Sequence, residues 1–173
     1  MIMERGKPLL SRVNPSFIWF SLFVALFLHM LIGLGNSFWT PDLLAMTLVF
    51  WSVHQPRRVG MGAAFVFGLM MDVHESTLLG QNALTYTLLC FGALTIHRRL
   101  LWFPVPQQAL QVLPLFALAT LAEWLTHLAA GHASAHWSLL LAPLIQALLW
   151  PLLSTVLLIP QRIDRSSPLN RTL

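Results

Sequence analysis

The ionisable residues of this chain are few, and their positions set what chemistry it can attempt. Glu123 lies inside a long apolar run and His127 follows four residues later. On a helix, that spacing puts a carboxylate and an imidazole on one face. Such a glutamate is open to three roles: snorkelling to a nearby interface, making a polar contact inside a bundle or with a partner, or relaying protons. Asp42, Asp72 and Glu75 lie at the ends of other apolar runs. Asp42 follows Pro41 where a helix N-cap belongs. Asp72 and Glu75 read as following a helix, in a solvated loop or at a contact face.

The segment His127-x4-His132-x3-His136 offers imidazoles at loose spacing, with no cysteine or acidic residue inside it to complete a metal site. Asp72-Val73-His74-Glu75 lacks the two-histidine spacing of HExxH. The single cysteine, Cys90, sits in an apolar run, which rules out an intrachain disulfide and suggests a packed small residue. Nucleophile–base sets, phosphate-binding loops and hydrolase-spaced carboxylates are missing. The expectation is a non-enzyme with no catalytic residue, no cofactor and no bound metal.

The elements that must position these residues follow from composition. The 173 residues are 57% hydrophobic and 9% charged, against about 25% charged in soluble domains. The chain lacks the polar surface to cover a globule in water, and a bilayer removes that need. Its apolar runs lack period-2 alternation, so the spans are helices rather than barrel strands. The pI of about 10.7 does not mark a nucleic-acid binder, because the ten basic residues fall in small scattered groups.

Six helical spans can be read, at Phe17–Leu34, Pro41–His54, Val59–Asp72, Leu78–His97, Gln108–Ala130 and Trp137–Ile159. The first and the last three approach the roughly 20 residues that cross the hydrocarbon. The second and third are shorter. A re-entrant hairpin there would put Arg57 and Arg58 at its tip, at about 2.5–3.5 kcal/mol each. Two spans joined in water avoid that cost. The expectation is one integral membrane domain over residues 1–173, with short tails at 1–16 and 160–173.

Basic residues alternate along this plan. Arg5, Lys7 and Arg12 precede the first span, Arg57 and Arg58 separate the second from the third, Arg98 and Arg99 follow the fourth, and Arg162, Arg165 and Arg171 follow the sixth. The other three connections carry none. All basic residues then share one side, which the positive-inside rule makes the cytoplasm, with both termini there. Trp19, Trp51 and Trp102 fall near that interface, and Trp39, Trp124 and Trp137 near the outer one. Gly60, Ala64 and Gly68 form a small-residue stripe suited to close helix packing. Pro114, Pro143 and Pro151 suggest kinks, and no internal repeat supports an inverted-repeat transporter.

Two stretches carry a family resemblance. One runs Trp39-Thr-Pro-Asp42 into the second span through Trp51. The other runs from His54-Gln-Pro-Arg-Arg58 through a Gly-rich span ending in Asp72, then Leu79-Gly-Gln-Asn-Ala-Leu84. The order resembles the rod shape-determining MreD family, with the specific motifs within residues 39–97. The resemblance implies an inner-membrane component of bacterial cell elongation, acting with MreC, the actin-like MreB and the paired glycosyltransferase and transpeptidase of lateral peptidoglycan synthesis. It also implies a fold similar to the six-helix substrate-binding subunits of energy-coupling-factor transporters. Asp42, Asp72, Gly80 and Asn82 match its motif positions, with a structural or interacting role open.

The expected function is therefore a scaffold, with Asp42, Asp72, Glu75 and Glu123 marking an outer contact face. The competing reading is a transporter subunit whose outer polar residues line a vitamin-sized pocket.

Overall fold

A computed structural model describes residues 14–33, 41–75, 79–129 and 138–163, the side chains of 127, 138–140 and 160–163 excepted. Six helices form: α1 (Pro15–Gly33), α2 (Leu43–His54), α3 (Met61–Glu75), α4 (Gln81–Leu100), α5 (Val105–Ala129) and α6 (Ser138–Ile163). Three of them, α1, α5 and α6, are long and apolar enough to cross a membrane. Although α4 has 20 residues, Gln81, Asn82, His97, Arg98 and Arg99 dilute its apolar content.

α1 starts where its sequence dictates. Pro15 has no amide to leave unpaired, and the Asn14 carbonyl accepts the Phe17 amide at 3.1 Å. Ile18, Leu22, Ala25 and Leu26 are buried on one face, while Phe20, Phe23, Phe27 and Leu31 are exposed on the other. A helix with apolar residues on its outward face suits lipid rather than water.

α2 is the centre of the bundle. Every residue from Leu44 to Val53 is buried, as expected of a helix that is apolar all round. It packs against α1, α4 and α6. Its 12 residues span only about 18 Å, so it is wrapped by its neighbours rather than set against lipid. It is also shorter than the sequence predicts, because Pro41 and Asp42 stay outside it and Asp42 caps it.

Two side-chain hydrogen bonds within the core join α2 to its neighbours. The Trp51 indole donates to Ser21 Oγ at 2.8 Å, tying α2 to α1. Ser52 Oγ donates to Cys90 Sγ at 3.2 Å, tying α2 to α4. Trp51 is fully buried, so it packs in the core near the end of α2. Trp150, also fully buried, packs on Phe50 and Phe116 and reaches Gln108 Oε1 at 3.5 Å.

α3 and α4 approach each other closely at Gly68. A Cβ on Gly68 would lie 2.6 Å from the Ala83 amide nitrogen, so only glycine allows this contact. Ala64, one turn earlier on the same face, is fully buried. Gly60 is different: it precedes α3, and a Cβ there would meet nothing closer than the Pro56 carbonyl at 3.9 Å. The packing stripe therefore uses Ala64 and Gly68 without Gly60.

α5 begins three residues before the predicted start, since Pro106 fits a first turn where no intrahelical amide donor is required. The Pro104 carbonyl opens the helix, accepting from Gln107 at 2.9 Å and Gln108 at 3.2 Å. Leu101–Pro104 thus forms a tight turn that reverses the chain. The antiparallel arrangement gives the bundle two distinct ends. Arg57, Arg58, Arg98 and Arg99 lie at one end, in or beside the α2–α3 and α4–α5 turns. Asp42, Asp72, Glu75 and Glu123 lie toward the other, at or near the start of α2 and the last turns of α3 and α5.

Candidate functional site

The acidic end is organised around two carboxylates, and the first is Asp42. Its Oδ1 accepts the Ala45 amide at 2.8 Å, satisfying a donor that α2 cannot pair internally. The same oxygen lies 3.6 Å from His29 Nδ1 on α1. Tyr86, the one tyrosine of the chain, comes within electrostatic range of Asp42 from α4. Asp42 therefore sits where α1, α2 and α4 meet. His29 is buried, and Nδ1 has no partner within hydrogen-bond distance.

The second carboxylate is Asp72, buried within the final turn of α3. Oδ2 accepts the Gly80 amide at 2.8 Å and Oδ1 accepts the Asn82 amide at 2.7 Å. Ala83 approaches Oδ2 at 3.4 Å. These amides open α4, where backbone donors are unpaired and the helix dipole favours a negative charge. Asp72 thus caps the helix that follows its own, across the intervening turn. Gly80 makes this possible by adopting φ 100°, a left-handed conformation that glycine takes without Cβ strain. Asn82 completes the junction by donating from Nδ2 to Glu75 Oε2 at 2.9 Å.

This corrects the expectation for Asp72. It is neither in a solvated loop nor exposed to a partner, because both its oxygens are used inside the chain. Gly80 and Asn82 belong to the same junction. Glu75, by contrast, is exposed beyond its bond to Asn82. Leu79, just before α4, is 77% exposed.

Glu123 stands half-buried on α5, within electrostatic range of Asp42 and Glu75. Tyr86 lies among the same three carboxylates. The structure therefore gathers Asp42, Glu75, Glu123, Tyr86 and His29 from five helices at one end. The His127 side chain lies outside what is described, as do His132, His136, Trp39, Trp137 and residues 1–13 and 164–173. The expected tails at 1–16 and 160–173 are shortened, since α1 starts at Pro15 and α6 runs to Ile163. Among the described residues, no group of three or more His, Cys, Asp or Glu is placed to hold a metal ion.

His29 and Tyr86 were not singled out from the sequence. His29 carried a usable signal, being the one ionisable residue in the run Phe17–Leu34. Tyr86 carried none, since a tyrosine in an apolar helix is ordinary core. The arrangement supplies interhelical fastening through carboxylates, with Glu75 and Leu79 left accessible on its outer surface.

Known proteins similar to this chain agree in kind. The family described as rod shape-determining protein MreD matches residues 11–158. A rod shape-determining protein MreD of Haemophilus influenzae is 29% identical over 140 residues, covering 79% of this chain and 82% of the relative. No solved structure matches.

Proposed function

The chain belongs to the rod shape-determining MreD family, and from that premise we propose that it is a non-enzymatic inner-membrane scaffold of the bacterial elongation machinery. Membership gives it a role in rod shape determination. The proposal adds the mechanism. All six helices traverse or fill the bilayer, both termini lie in the cytoplasm, and the acidic end faces outward. From there it engages MreC and so positions the wall synthases relative to cytoplasmic MreB.

One observation carries this reading: the described carboxylates and arginines occupy opposite ends of an antiparallel bundle. With arginines held in the cytoplasm, the acidic end is the surface open to periplasmic partners. The contact face within it centres on Glu75, Leu79 and the neighbouring surface near Glu123. Asp42 and Asp72 support that face from within. A likeness to the substrate-binding subunits of energy-coupling-factor transporters belongs to the same proposal at the level of helix number. A vitamin pocket gains nothing from the geometry, since Asp72, Gly80 and Asn82 are engaged in the α3–α4 junction.

A photo-crosslinking amino acid at Glu75 or Leu79 in living cells tests the assignment. MreC captured from these positions, and not from lipid-facing Phe27 of α1, supports it. Capture from Phe27 alone would move the contact to the helix surface and refute an outer-end interface.

A further inference from the structure

We propose that the arginine end of the bundle is a binding surface for phospholipids with anionic headgroups. The inference rests on the membrane-embedded reading above but not on the assignment of protein partners.

Arg57 and Arg58 are exposed in the turn between α2 and α3, and Arg98 and Arg99 are exposed in the last turn of α4. The α3–α4 packing brings both pairs to one end. Asp42, Asp72, Glu75 and Glu123, the acidic groups among the described residues, lie toward the other end, and none forms an ion pair with these arginines. Four guanidinium groups therefore face outward without a carboxylate from the described chain.

Both platforms are fixed. Val59 and Leu100, each next to an arginine pair, are fully buried. The first turn is closed by Arg58 and Val59 amides on the Gln55 carbonyl at 3.0 and 3.1 Å. The second is closed by the Leu101 amide on His97 at 3.1 Å and the Trp102 amide on Arg99 at 3.2 Å. Little backbone ordering is left to occur on binding.

The surroundings select a lipid over a free anion. Trp102, three residues after Arg99, is 82% exposed, in the position an interfacial tryptophan takes. Met61 and Phe65 on α3 are exposed just beyond the first pair, offering an apolar wall for acyl chains below the headgroup. Positive charge alone would serve topology equally well as lysine, yet Lys7 is the one lysine of the chain. The planar arginine fork matches phosphate oxygens in pairs, as an ammonium does not. Helix-dipole compensation at the C-terminal ends of α2 and α4 accounts for part of this charge, but not for an exposed Trp102.

Native mass spectrometry of the delipidated full chain, titrated with phosphatidylglycerol or phosphatidylcholine of the same acyl chains, tests the proposal. Phosphatidylglycerol is expected to bind several-fold more, and the preference to fall as salt rises, because headgroup attraction is screened. The pairs R57Q/R58Q and R98Q/R99Q should each reduce binding several-fold, and R98K/R99K should retain part of it. Equal binding of both lipids by the native chain overturns the proposal whether or not the variants fold. So does unchanged phosphatidylglycerol binding in both glutamine pairs, or its displacement by an equal concentration of inorganic phosphate. Partner crosslinking from Glu75 is read separately, so failure here leaves the scaffold reading standing.

Discussion

Asp72 on α3 receives the Asn82 amide at 2.7 Å, so a carboxylate ten residues upstream closes the N-terminus of α4. Because the Gly80 amide binds the other oxygen at 2.8 Å, the pair of bonds fixes both the angle and the register of α3 against α4. The same register seats Gly68 on the Ala83 backbone.

Asp72→Ala orphans these buried donors at once. The expected loss is about 2–3 kcal/mol, read as a lower midpoint for thermal unfolding in detergent. Asp72→Asn keeps one acceptor and should fall between the native chain and the alanine variant. An alanine variant that unfolds at the native midpoint would show that the α4 cap lies elsewhere.

Gly68→Ala should destabilise by about 1–3 kcal/mol, since its Cβ meets rigid backbone rather than a movable side chain. Gly62→Ala is the control. It is helical and a Cβ there meets nothing within 4 Å, so relief of glycine entropy should stabilise by about 0.5–1 kcal/mol. Midpoints moving in opposite directions check the pair.

His29 and Asp42 are coupled across α1 and α2. Asparagine is as good an N-cap as aspartate, so Asp42→Asn removes the charge while keeping the bond to Ala45. A double-mutant cycle with His29→Leu should give an interaction of about 0.5–3 kcal/mol, the range for residues in contact. Strict additivity of the two changes would mean that the 3.6 Å approach is energetically silent.

Much of the fold is legible in the sequence because apolar runs and charge groups are local signals. The runs locate six helices, and alternating arginine groups anticipate their reversal. Boundaries shift where proline is ambiguous: Pro106 enters α5, whereas Pro41 stays outside α2. The central burial of α2 is implicit in its apolar circumference but not in its length. The candidate site is less legible, because its bonds join distant segments. Asp72 looks like a loop residue until Gly80 turns the chain back onto it. Gly60 shares its spacing with Ala64 and Gly68 but falls before the helix that spacing presumes. Asp42, Tyr86 and Glu123 come together only through packing of α2, α4 and α5.

The two ends of the bundle are expected to face opposite compartments. Cysteine labelling in intact spheroplasts with a membrane-impermeant maleimide tests this directly, since Cys90 is fully buried and gives little background. Leu79→Cys, in the turn at the acidic end, should label in intact spheroplasts. Arg57→Cys, in the turn at the other end, should label only after the membrane is permeabilised. Labelling of Arg57→Cys with protection of Leu79→Cys, or equal labelling of both from one side, would show that the two ends do not face opposite compartments as proposed.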